Sequence, residues 1–212
     1  MNLILMGAPG AGKGTQSEKI SEKWGIPSIA TGDILRAAIK EGTALGQTAQ
    51  TYIDAGHLVP DEIVIGIIKE YLMSDACKNG FILDGFPRSI PQAEALERLG
   101  VRIDAVLFID VADETIVERM SGRRVCACGA SYHVLYRPSK QEGICDRCGA
   151  ELYIRKDDAL ETVIKRLETF HQQTKPVMSF YEERGKLVVV KGQEELADTT
   201  RLVFEALSRF SV

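Results

Sequence analysis

The chain has 212 residues, of which 45% are hydrophobic and 26% are charged, and its formal net charge at pH 7 is −4. This composition is typical of a globular protein and excludes the disordered and fibrous classes. The acidic balance also speaks against non-specific binding to nucleic acid, because phosphate backbones attract basic surfaces. The apolar start lacks a basic flank, and no apolar run is long enough to span a bilayer. We therefore expect no membrane association and a cytoplasmic protein whose five cysteines are reduced or bound to metal.

Five short apolar runs predict buried strands, and helical patterns separate them. Their apolar residues are continuous rather than alternating, as expected where helices cover both faces of a sheet. The alternation of strands and helices predicts an α/β fold with a parallel five-stranded sheet flanked by helices. The predicted strands are Leu3–Met6, Ser28–Ala30, Phe81–Leu83, Ala105–Ile109 and Leu187–Val190.

The stretch GAPGAGKGT at residues 7–15 follows the first predicted strand and precedes a helical pattern. It matches the phosphate-binding pattern G-x-x-x-x-G-K-[ST] through Lys13, but Gly14 stands where a magnesium-binding hydroxyl is expected, and Thr15 comes one place late. Its glycines let backbone N–H groups point at phosphate oxygens, the helix N-terminus favours anions, and Lys13 adds a mobile charge. These features predict a nucleotide site, against the alternative of a glycine-rich turn with a chance lysine.

Two segments interrupt the alternation and are predicted to be insertions into one core. Residues 31–60 carry helical spacing throughout, and Thr31 can cap the first helix. Residues 123–156 hold four of the five cysteines and no clean helix. The predicted core consists of residues 1–30, 61–122 and 157–212.

A longer helical pattern begins at Asp157, and Pro176 is expected to bend or end that helix. Its period predicts a single apolar face. That face is predicted to consist of Leu160, Val163, Ile164, Leu167 and Phe170.

Magnesium is expected to be held by the nucleotide's own phosphates and by waters, because Gly14 removes the direct hydroxyl ligand and magnesium keeps its waters readily. Asp84 follows the third predicted strand, at the edge where parallel sheets bind ligands, and is the predicted anchor for those waters. The alternative is an ordinary turn aspartate before Gly85.

Arginines stand at strand ends and at the borders of both insertions. If the phosphate acceptor is itself a phosphate, donor and acceptor repel each other, and transfer requires cations between them. Arginine suits this role because its planar guanidinium keeps its charge and binds phosphate as a fork. Arg119 and Arg123 are predicted to share one helix face. The alternative is solvated surface arginines paired with neighbours such as Glu118 and Glu168. The candidate set is Arg36, Arg88, Arg119, Arg123, Arg155 and Arg166.

Four cysteines in the second insertion have the spacing of a structural zinc site. The first pair is C-x-C, one residue shorter than the usual C-x-x-C. Two site types therefore stay open: a strained four-cysteine tetrahedron, or a site in which His133 or Asp146 replaces a cysteine. The non-metal alternatives are reduced thiols and disulfides, and Cys77 is expected to be an isolated thiol. The predicted ligands are Cys126, Cys128, Cys145 and Cys148.

Three stretches together resemble the nucleoside monophosphate kinases, and more closely the bacterial adenylate kinases with a long zinc-bearing lid. They are GAPGAGKGT at 7–15, TGDILRAA at 31–38 and DGFPRSIPQ at 84–92, and the resemblance extends over essentially the whole chain. The resemblance implies reversible transfer of a phosphoryl group from Mg-ATP to AMP, giving two ADP, by a monomer. It further implies that the G-K-G-T ending is usual, that 31–60 is an AMP-binding insert, and that 123–156 is a lid. The C-x-C pair departs from the family pattern.

The resemblance also implies roles for single residues. Asp157 and Asp158 match acidic residues that flank the lid. The residues implied for catalysis are Lys13, Asp84, Arg88, Arg123, Arg155 and Arg166. The residues implied for ATP binding are Gly10, Ala11, Gly12, Lys13, Gly14, Thr15, Arg119, Arg123, Tyr132 and Gln193. The residues implied for AMP binding are Thr31, Arg36, His57, Val59, Gly85, Arg88, Gln92, Arg155 and Arg166. Considered without the resemblance, His57, His133 and His171 are expected to be surface or structural groups rather than catalytic ones.

Two rival functions stay open at this point. One is a kinase for UMP, CMP or GMP, which substrate competition would distinguish. The other is a nucleotide-dependent switch whose zinc module binds RNA or a partner protein, and it predicts slow hydrolysis without transfer to a monophosphate. The acidic balance and the lack of interleaved aromatic and basic residues count against the switch.

Overall fold

The computed structural model describes residues 1–210; Ser211 and Val212, which end the predicted core segment 157–212, lie outside the described residues. The fold is α/β, with a five-stranded parallel sheet in the order β2-β3-β1-β4-β7 and a separate antiparallel pair, β5-β6. The strands are β1 Asn2–Met6, β2 Ser28–Ala30, β3 Phe81–Asp84, β4 Ala105–Asp110, β5 Arg123–Val125, β6 Ser131–His133 and β7 Leu187–Lys191.

Helices connect the strands and cover the main sheet. Short 3₁₀ turns and one π-helical turn, Phe170–Thr174, complete the described elements. The 3₁₀ turns are Asp75–Cys77, Lys156–Asp158 and Ser208–Phe210. The helices are α1 Lys13–Trp24, α2 Thr31–Lys40, α3 Ala44–Asp54, α4 Asp61–Leu72, α5 Ile90–Arg98, α6 Asp113–Ser121, α7 Leu160–Thr169, α8 Pro176–Glu182 and α9 Leu196–Leu207.

The central strands β1, β3 and β4 are buried on both faces, which explains their continuous apolar runs. The edge strand β7 alternates instead, and its Val189 is 53% exposed. In β1, Ile4 belongs to the core on one face and Leu5 to the core on the other, and both are almost fully buried. The Leu5 face packs against α1 and α9 through residues such as Ile20 and Val203. All five predicted strands are confirmed, and each differs from its predicted bounds by no more than one residue at either end.

The order of the strands decides where a ligand can bind. Strand β1 is central, with β3 on one side and β4 on the other. The chain therefore leaves β1 in one direction to reach β2 and β3, and later crosses to β4 and β7. In open parallel sheets the crevice at such a reversal, beyond the carboxyl ends of the strands, is the usual ligand site. The loop after β1 lies at that crevice.

Two local predictions are wrong. Thr31 does not cap α2, because α2 begins at Thr31 itself and its hydroxyl instead donates a hydrogen bond to Gly85 O at 3.0 Å. Arg119 and Arg123 do not share a helix, because α6 ends at Ser121 and Arg123 begins β5. After α6 the chain enters β5, where Arg123 pairs with His133 of β6. A Cβ on residue 122 would lie 2.3 Å from His133 Nε2, which explains the glycine at this junction.

The predicted apolar face of the helical pattern after Asp157 is narrower than expected. Val163, Leu167 and Phe170 are buried, but Leu160 and Ile164 are 60% and 47% exposed. The buried stripe thus follows the spacing i, i+4, i+7 alone. The interruption of the helix lies before Pro176 rather than at it. α7 ends at Thr169, the π-helical turn Phe170–Thr174 follows, and Pro176 is the first residue of α8. Among the helices within residues 1–210, none has the length and apolar character that crossing a membrane requires.

Candidate active site

The loop between β1 and α1 is closely packed against the end of β4 and against α6. Gly7 has a φ of +150° and Gly10 of +83°, conformations that residues with a Cβ rarely adopt. A Cβ on Gly7 would lie 2.8 Å from Ile109 O, and one on Gly10 would lie 2.8 Å from Met120 Sδ. Gly12, with a φ of +93°, directly precedes the first residue of α1. The glycines are therefore required by the curl of the loop, a conformation of the kind that can present backbone N–H groups to an anion.

Lys13 bends back over this loop. Its Nζ donates hydrogen bonds to Gly7 O at 2.8 Å and to Ala8 O at 2.9 Å. Burial lowers the pKa of Lys13 to about 8, and the nearby charge of Arg88 acts in the same direction, while Asp84 partly opposes the shift. The ammonium group is thus poorly compensated by the protein alone, as expected for a group whose counter-charge is a ligand.

Asp84 faces the same space from the end of β3. A Cβ on Gly14 would lie 3.7 Å from Asp84 Oδ2, so the carboxylate lies beside the start of α1. Burial raises the pKa of Asp84, and the charges of Lys13 and Arg88 oppose that rise. A carboxylate next to a phosphate loop suits magnesium, which takes oxygen ligands and retains waters. The donor set therefore fits the ion.

Arg88 is fixed beyond the end of β3 by the backbone around it. Its Nε donates to Gly85 O at 2.7 Å, and its own carbonyl accepts from Thr174 Oγ1 at 2.9 Å. Gly85 has a φ of +79°, and a Cβ there would lie 2.5 Å from Arg88 Nη2. Burial lowers the pKa of Arg88 from its ordinary value, and Asp84 opposes the shift. The guanidinium is thus held in place and only partly neutralised.

Two neighbouring carboxylates hold three of the other arginines. Arg123 pairs with Asp158 through two hydrogen bonds, one of them at 2.8 Å, and the Asp158 side chain is only 1% exposed. Arg155 Nε donates to Asp157 Oδ1 at 2.8 Å, and Arg166 Nη1 lies 3.0 Å from Asp157 Oδ2 and 3.5 Å from Asp158 Oδ1. Burial would raise the pKa of Asp157, but Arg155 and Arg166 lower it to about 2. Three guanidinium groups therefore share two carboxylates, which leaves a surplus of positive charge.

The predicted alternative, in which these arginines pair with Glu118 and Glu168, is wrong for the pairs within residues 1–210. Glu118 instead accepts a hydrogen bond from Tyr136 at 2.8 Å. Arg119 Nη2 donates to Gln193 O at 2.7 Å, and its guanidinium lies 6.0 Å from the centre of the Tyr136 ring. Arg119 is therefore an extended flat group at the rim of the site, next to an aromatic ring.

The predicted site residues line two adjoining cavities. We call the first the loop-side cavity; every residue implied for ATP binding lines it, as does Asp84. We call the second the helix-side cavity; every residue implied for AMP binding lines it, together with apolar residues such as Leu35, Val64 and Phe170. Seven residues line both cavities, and five of them are cations. These shared residues are Pro9, Lys13, Gly32, Arg36, Arg88, Arg155 and Arg166.

The four predicted metal ligands come together at one point. Their sulfur atoms all lie within 4.8 Å of one another, with 3.4 Å between Cys126 and Cys148 and 3.6 Å between Cys128 and Cys145. A disulfide bond would be about 2.0 Å long, whereas a tetrahedral thiolate site with metal–sulfur bonds of about 2.3 Å places its sulfurs roughly 3.8 Å apart. The sulfur set therefore fits a tetrahedral metal ion.

The short C-x-C pair forms a tighter turn than the C-x-x-C pair. In the first turn Gly129 N–H donates to Cys126 O, a three-residue return, and in the second Gly149 N–H donates to Cys145 O, a four-residue return. The cysteine that opens each turn donates its own N–H to the alanine that follows the glycine, Ala130 or Ala150. The tighter backbone turn thus compensates for the residue that the first pair lacks. No ligand is lost.

Neither proposed substitute ligand belongs to this group. His133 Nδ1 accepts hydrogen bonds from the N–H groups of Leu135 and Tyr136, both at 3.1 Å. Asp146 Oδ1 accepts from Lys140 N–H at 2.9 Å. Among residues 1–210, the four cysteines are the cluster of metal-binding side chains close enough to hold an ion.

Three residues of the site escaped the sequence analysis. Asp33 forms an ion pair with Arg36 one helical turn away, and this i, i+3 spacing was a usable signal. Tyr136 gave no signal, because no periodic pattern surrounds it. Asp61 accepts a hydrogen bond from Gln92 Nε2 at 2.7 Å, across 31 positions of sequence, and only the tertiary structure reveals this contact.

One family model and several named relatives match this chain over most of its length. A family model described as adenylate kinase matches residues 5–186. A protein named adenylate kinase from Caldicellulosiruptor saccharolyticus is 62% identical over 212 residues, which cover 98% of this chain and 99% of the relative. Relatives of the same name from Bacillus velezensis and Methanosarcina mazei are 53% and 50% identical, each over the full length of both chains.

Proposed function

The chain belongs to the adenylate kinase family, the nucleoside monophosphate kinases that transfer phosphate between ATP and AMP, and we propose how its residues divide that reaction. ATP occupies the loop-side cavity and AMP the helix-side cavity. Their phosphates meet at the shared wall, the set of residues that line both cavities. This assignment rests on one observation, which is that five cations line both cavities. They are Lys13, Arg36, Arg88, Arg155 and Arg166. Five cations between two cavities suit two anionic ligands that must touch.

On the ATP side, the curled loop and the N-terminus of α1 receive the phosphates through backbone N–H groups. Lys13 leaves the carbonyls of Gly7 and Ala8 for the outer phosphate oxygens. Arg119, extended at the rim, faces the adenine ring as a flat cation. The remaining residues assigned to ATP are Gly10, Ala11, Gly12, Gly14, Thr15, Arg123, Tyr132 and Gln193.

On the AMP side, Arg36 and Arg88 bind the monophosphate, and Arg155 and Arg166 reach it from the opposite wall. The apolar residues Leu35, Val59 and Val64 provide a slot for the base. The remaining residues assigned to AMP are Thr31, His57, Gly85 and Gln92.

In the reaction an oxygen of the AMP phosphate forms a bond to the γ-phosphorus of ATP. The bond between that phosphorus and the bridging oxygen breaks, and its electron pair stays with the departing ADP, so that two ADP result. The attacking oxygen is already ionised near neutral pH, so no general base is required. Lys13, Arg88, Arg123, Arg155 and Arg166 stabilise the charge on the transferring group, which is the main task of a protein in phosphoryl transfer.

Magnesium belongs to this proposal. Asp84, with its carboxylate beside Gly14, would hold the ion through waters. When bound, magnesium neutralises phosphate charge and orients the outer phosphates. Gly14 leaves room beside the carboxylate, because a Cβ there would approach Asp84 Oδ2 to 3.7 Å.

The two insertions would enclose the bound nucleotides. Residues 31–60 form the AMP-binding insert and residues 123–156 the lid, on a core of residues 1–30, 61–122 and 157–212. Closure of both over the bound nucleotides would exclude water, which otherwise competes as the acceptor. Arg137 of the lid already lies 3.4 Å from Glu18 of α1. The proposal also includes the monomeric state and the cytoplasmic location expected above.

An assay of ADP formed from ATP and AMP tests the function. We expect two ADP per AMP consumed, and much lower rates with UMP, CMP or GMP as acceptors. Preferred transfer to one of those nucleotides would favour the rival kinase. Nucleotide binding with slow hydrolysis and no transfer would favour the switch and contradict the proposal.

The lowered pKa of Lys13 predicts a pH dependence. Below about pH 8 the ammonium is charged and binds phosphate, and above it the group loses its proton in the free enzyme. We therefore expect kcat/KM for ATP to fall with rising pH through about 8, since this ratio reports ionisation of the free enzyme. ADP is measured by chromatography at saturating AMP. In Lys13→Arg, which stays charged, this descending limb should be absent; an unchanged limb would assign it to another group.

We further propose that the four cysteines hold one structural zinc ion, because a closed set of thiolates leaves no open position for catalysis. Chelation should lower the melting temperature by about 10 °C or more, since structural zinc contributes folding free energy directly. The specific activity of the protein that stays folded should fall much less. Metal content gives the control: Cys145→Ser should lose zinc and Cys77→Ser should keep it. Purification of the wild type without bound metal would contradict the site.

A further inference from the structure

The side-chain amide of Gln92 is held at both ends. Gln92 lies on α5 and lines the helix-side cavity, although its side chain is almost completely buried. Its Oε1 accepts a hydrogen bond from Arg88 N–H at 2.7 Å, and its Nε2 donates to Asp61 Oδ1 at 2.7 Å. A backbone N–H can only donate and a carboxylate can only accept, so these partners decide which end of the amide is oxygen.

Asp61 is itself fixed relative to α5. Ser89 Oγ donates to both carboxylate oxygens of Asp61 at 3.1 Å, and the same Oγ accepts from Gln92 N–H at 3.3 Å as the cap of α5. Asp61 is also the first residue of α4, where the helix dipole favours a negative charge. The carboxylate therefore connects the start of α4 to the start of α5 and holds the Gln92 amide between them.

We propose that Asp61 is a positioning residue which locks the orientation of the Gln92 amide and thereby selects a 6-aminopurine over a 6-oxopurine in the monophosphate site. This inference rests on the proposed function above. After its bonds to Arg88 and Asp61, the amide has one lone pair on oxygen and one N–H on nitrogen left. Adenine offers the matching pair, an exocyclic N–H donor beside the N1 acceptor.

Hypoxanthine and guanine present the opposite pair, an O6 acceptor beside an N1–H donor. To bind them, the Gln92 amide would have to turn over. It would then place its oxygen against the Asp61 carboxylate and its NH₂ group against Arg88 N–H. Both contacts are repulsive in a buried site, where unpaired polar groups are costly. A glutamine free to turn would accept either base, so the discrimination depends on the lock.

Four proteins test whether Asp61 fixes the orientation of the Gln92 amide: the wild type, Asp61→Ala, Asp61→Asn and Glu62→Ala. For each, kcat/KM is measured with AMP and with IMP, or the inhibition constant of IMP against AMP where turnover of IMP is too slow. Asp61→Ala should lower the preference for AMP by about tenfold, the effect of one charge-assisted hydrogen bond. The loss should appear in KM for AMP, with kcat changed much less.

The other two variants distinguish the loss of the hydrogen bond to Gln92 from the general effect of removing a negative charge. Asp61→Asn keeps an oxygen that can accept from Gln92 and should retain most of the preference for AMP. Glu62→Ala removes a charge from the same helical turn at an exposed position and should change nothing. Asp61→Ser, too short to reach Gln92, replaces the alanine variant should that variant not fold.

Three outcomes would overturn the proposal. They are an unchanged preference in Asp61→Ala, an equal loss for AMP and IMP, and a loss in Asp61→Asn as large as in Asp61→Ala. The second outcome would reduce Asp61 to a structural support. Failure of the proposed function is distinguishable from all three, because the wild type would then form no ADP from ATP and AMP.

Discussion

Replacing Lys13 by methionine is expected to lower kcat by about 10² to 10³-fold, the usual cost of removing one preorganised charge-stabilising donor from a transition state. Methionine fills a similar volume but offers no proton. Among the described residues, Lys13 is the one lysine that lines these two cavities, so no second ammonium group is present to replace it. Steady-state rates of ADP formation at saturating ATP and AMP measure the effect.

The fold should survive this change. Burial of the Lys13 charge lowers its pKa, which means that the charged group is less stable in the fold than in water. Removing it should therefore leave the melting temperature within a few degrees of the wild type. Lys19→Met is the matched control, since Lys19 lies on the same helix and pairs with Glu22 at the surface. Near-normal turnover in Lys13→Met would contradict the assignment of the loop.

Replacing Arg88 by alanine should have a comparable effect from the other cavity. We expect KM for AMP to rise and kcat to fall, with kcat/KM lower by about 10³-fold or more, because the guanidinium would bind the acceptor phosphate and also stabilise the transferring charge. Arg88 N–H, which holds Gln92, belongs to the backbone and remains in the variant. The base site should therefore persist while the phosphate site is lost.

Two further variants sharpen this result. Arg88→Lys keeps a charge but loses the planar fork, so its activity should lie between those of the wild type and Arg88→Ala. Arg98→Ala is the matched control, because Arg98 is exposed on α5 and its guanidinium lies 3.7 Å from the Glu94 carboxylate. If Arg88→Ala kept its kcat/KM for AMP while Arg98→Ala lost it, the division of the two cavities would be wrong.

Sequence patterns predicted the strands of the sheet but not the pairing of the arginines. The three central strands were predictable because burial on both faces demands uninterrupted apolar residues, a local property. The pairing of Arg123 with Asp158 was not, because these residues are 35 positions apart and lie on either side of the cysteine-containing segment. Sequence spacing placed Arg123 on a helix with Arg119, whereas α6 ends at Ser121 and Arg123 pairs with His133 between β5 and β6.

What the sequence determined by itself is the chemistry of short stretches: a glycine-rich loop with a lysine, a pair of cysteine turns and a supply of arginines. Each depends on neighbours along the chain, whose distances are set by covalent geometry. Only the tertiary structure decided that Arg88, Arg155 and Arg166 line the same two cavities as Lys13, and that Asp61 holds Gln92. Those contacts depend on the order of the strands and the packing of helices from distant segments, and residue spacing encodes neither.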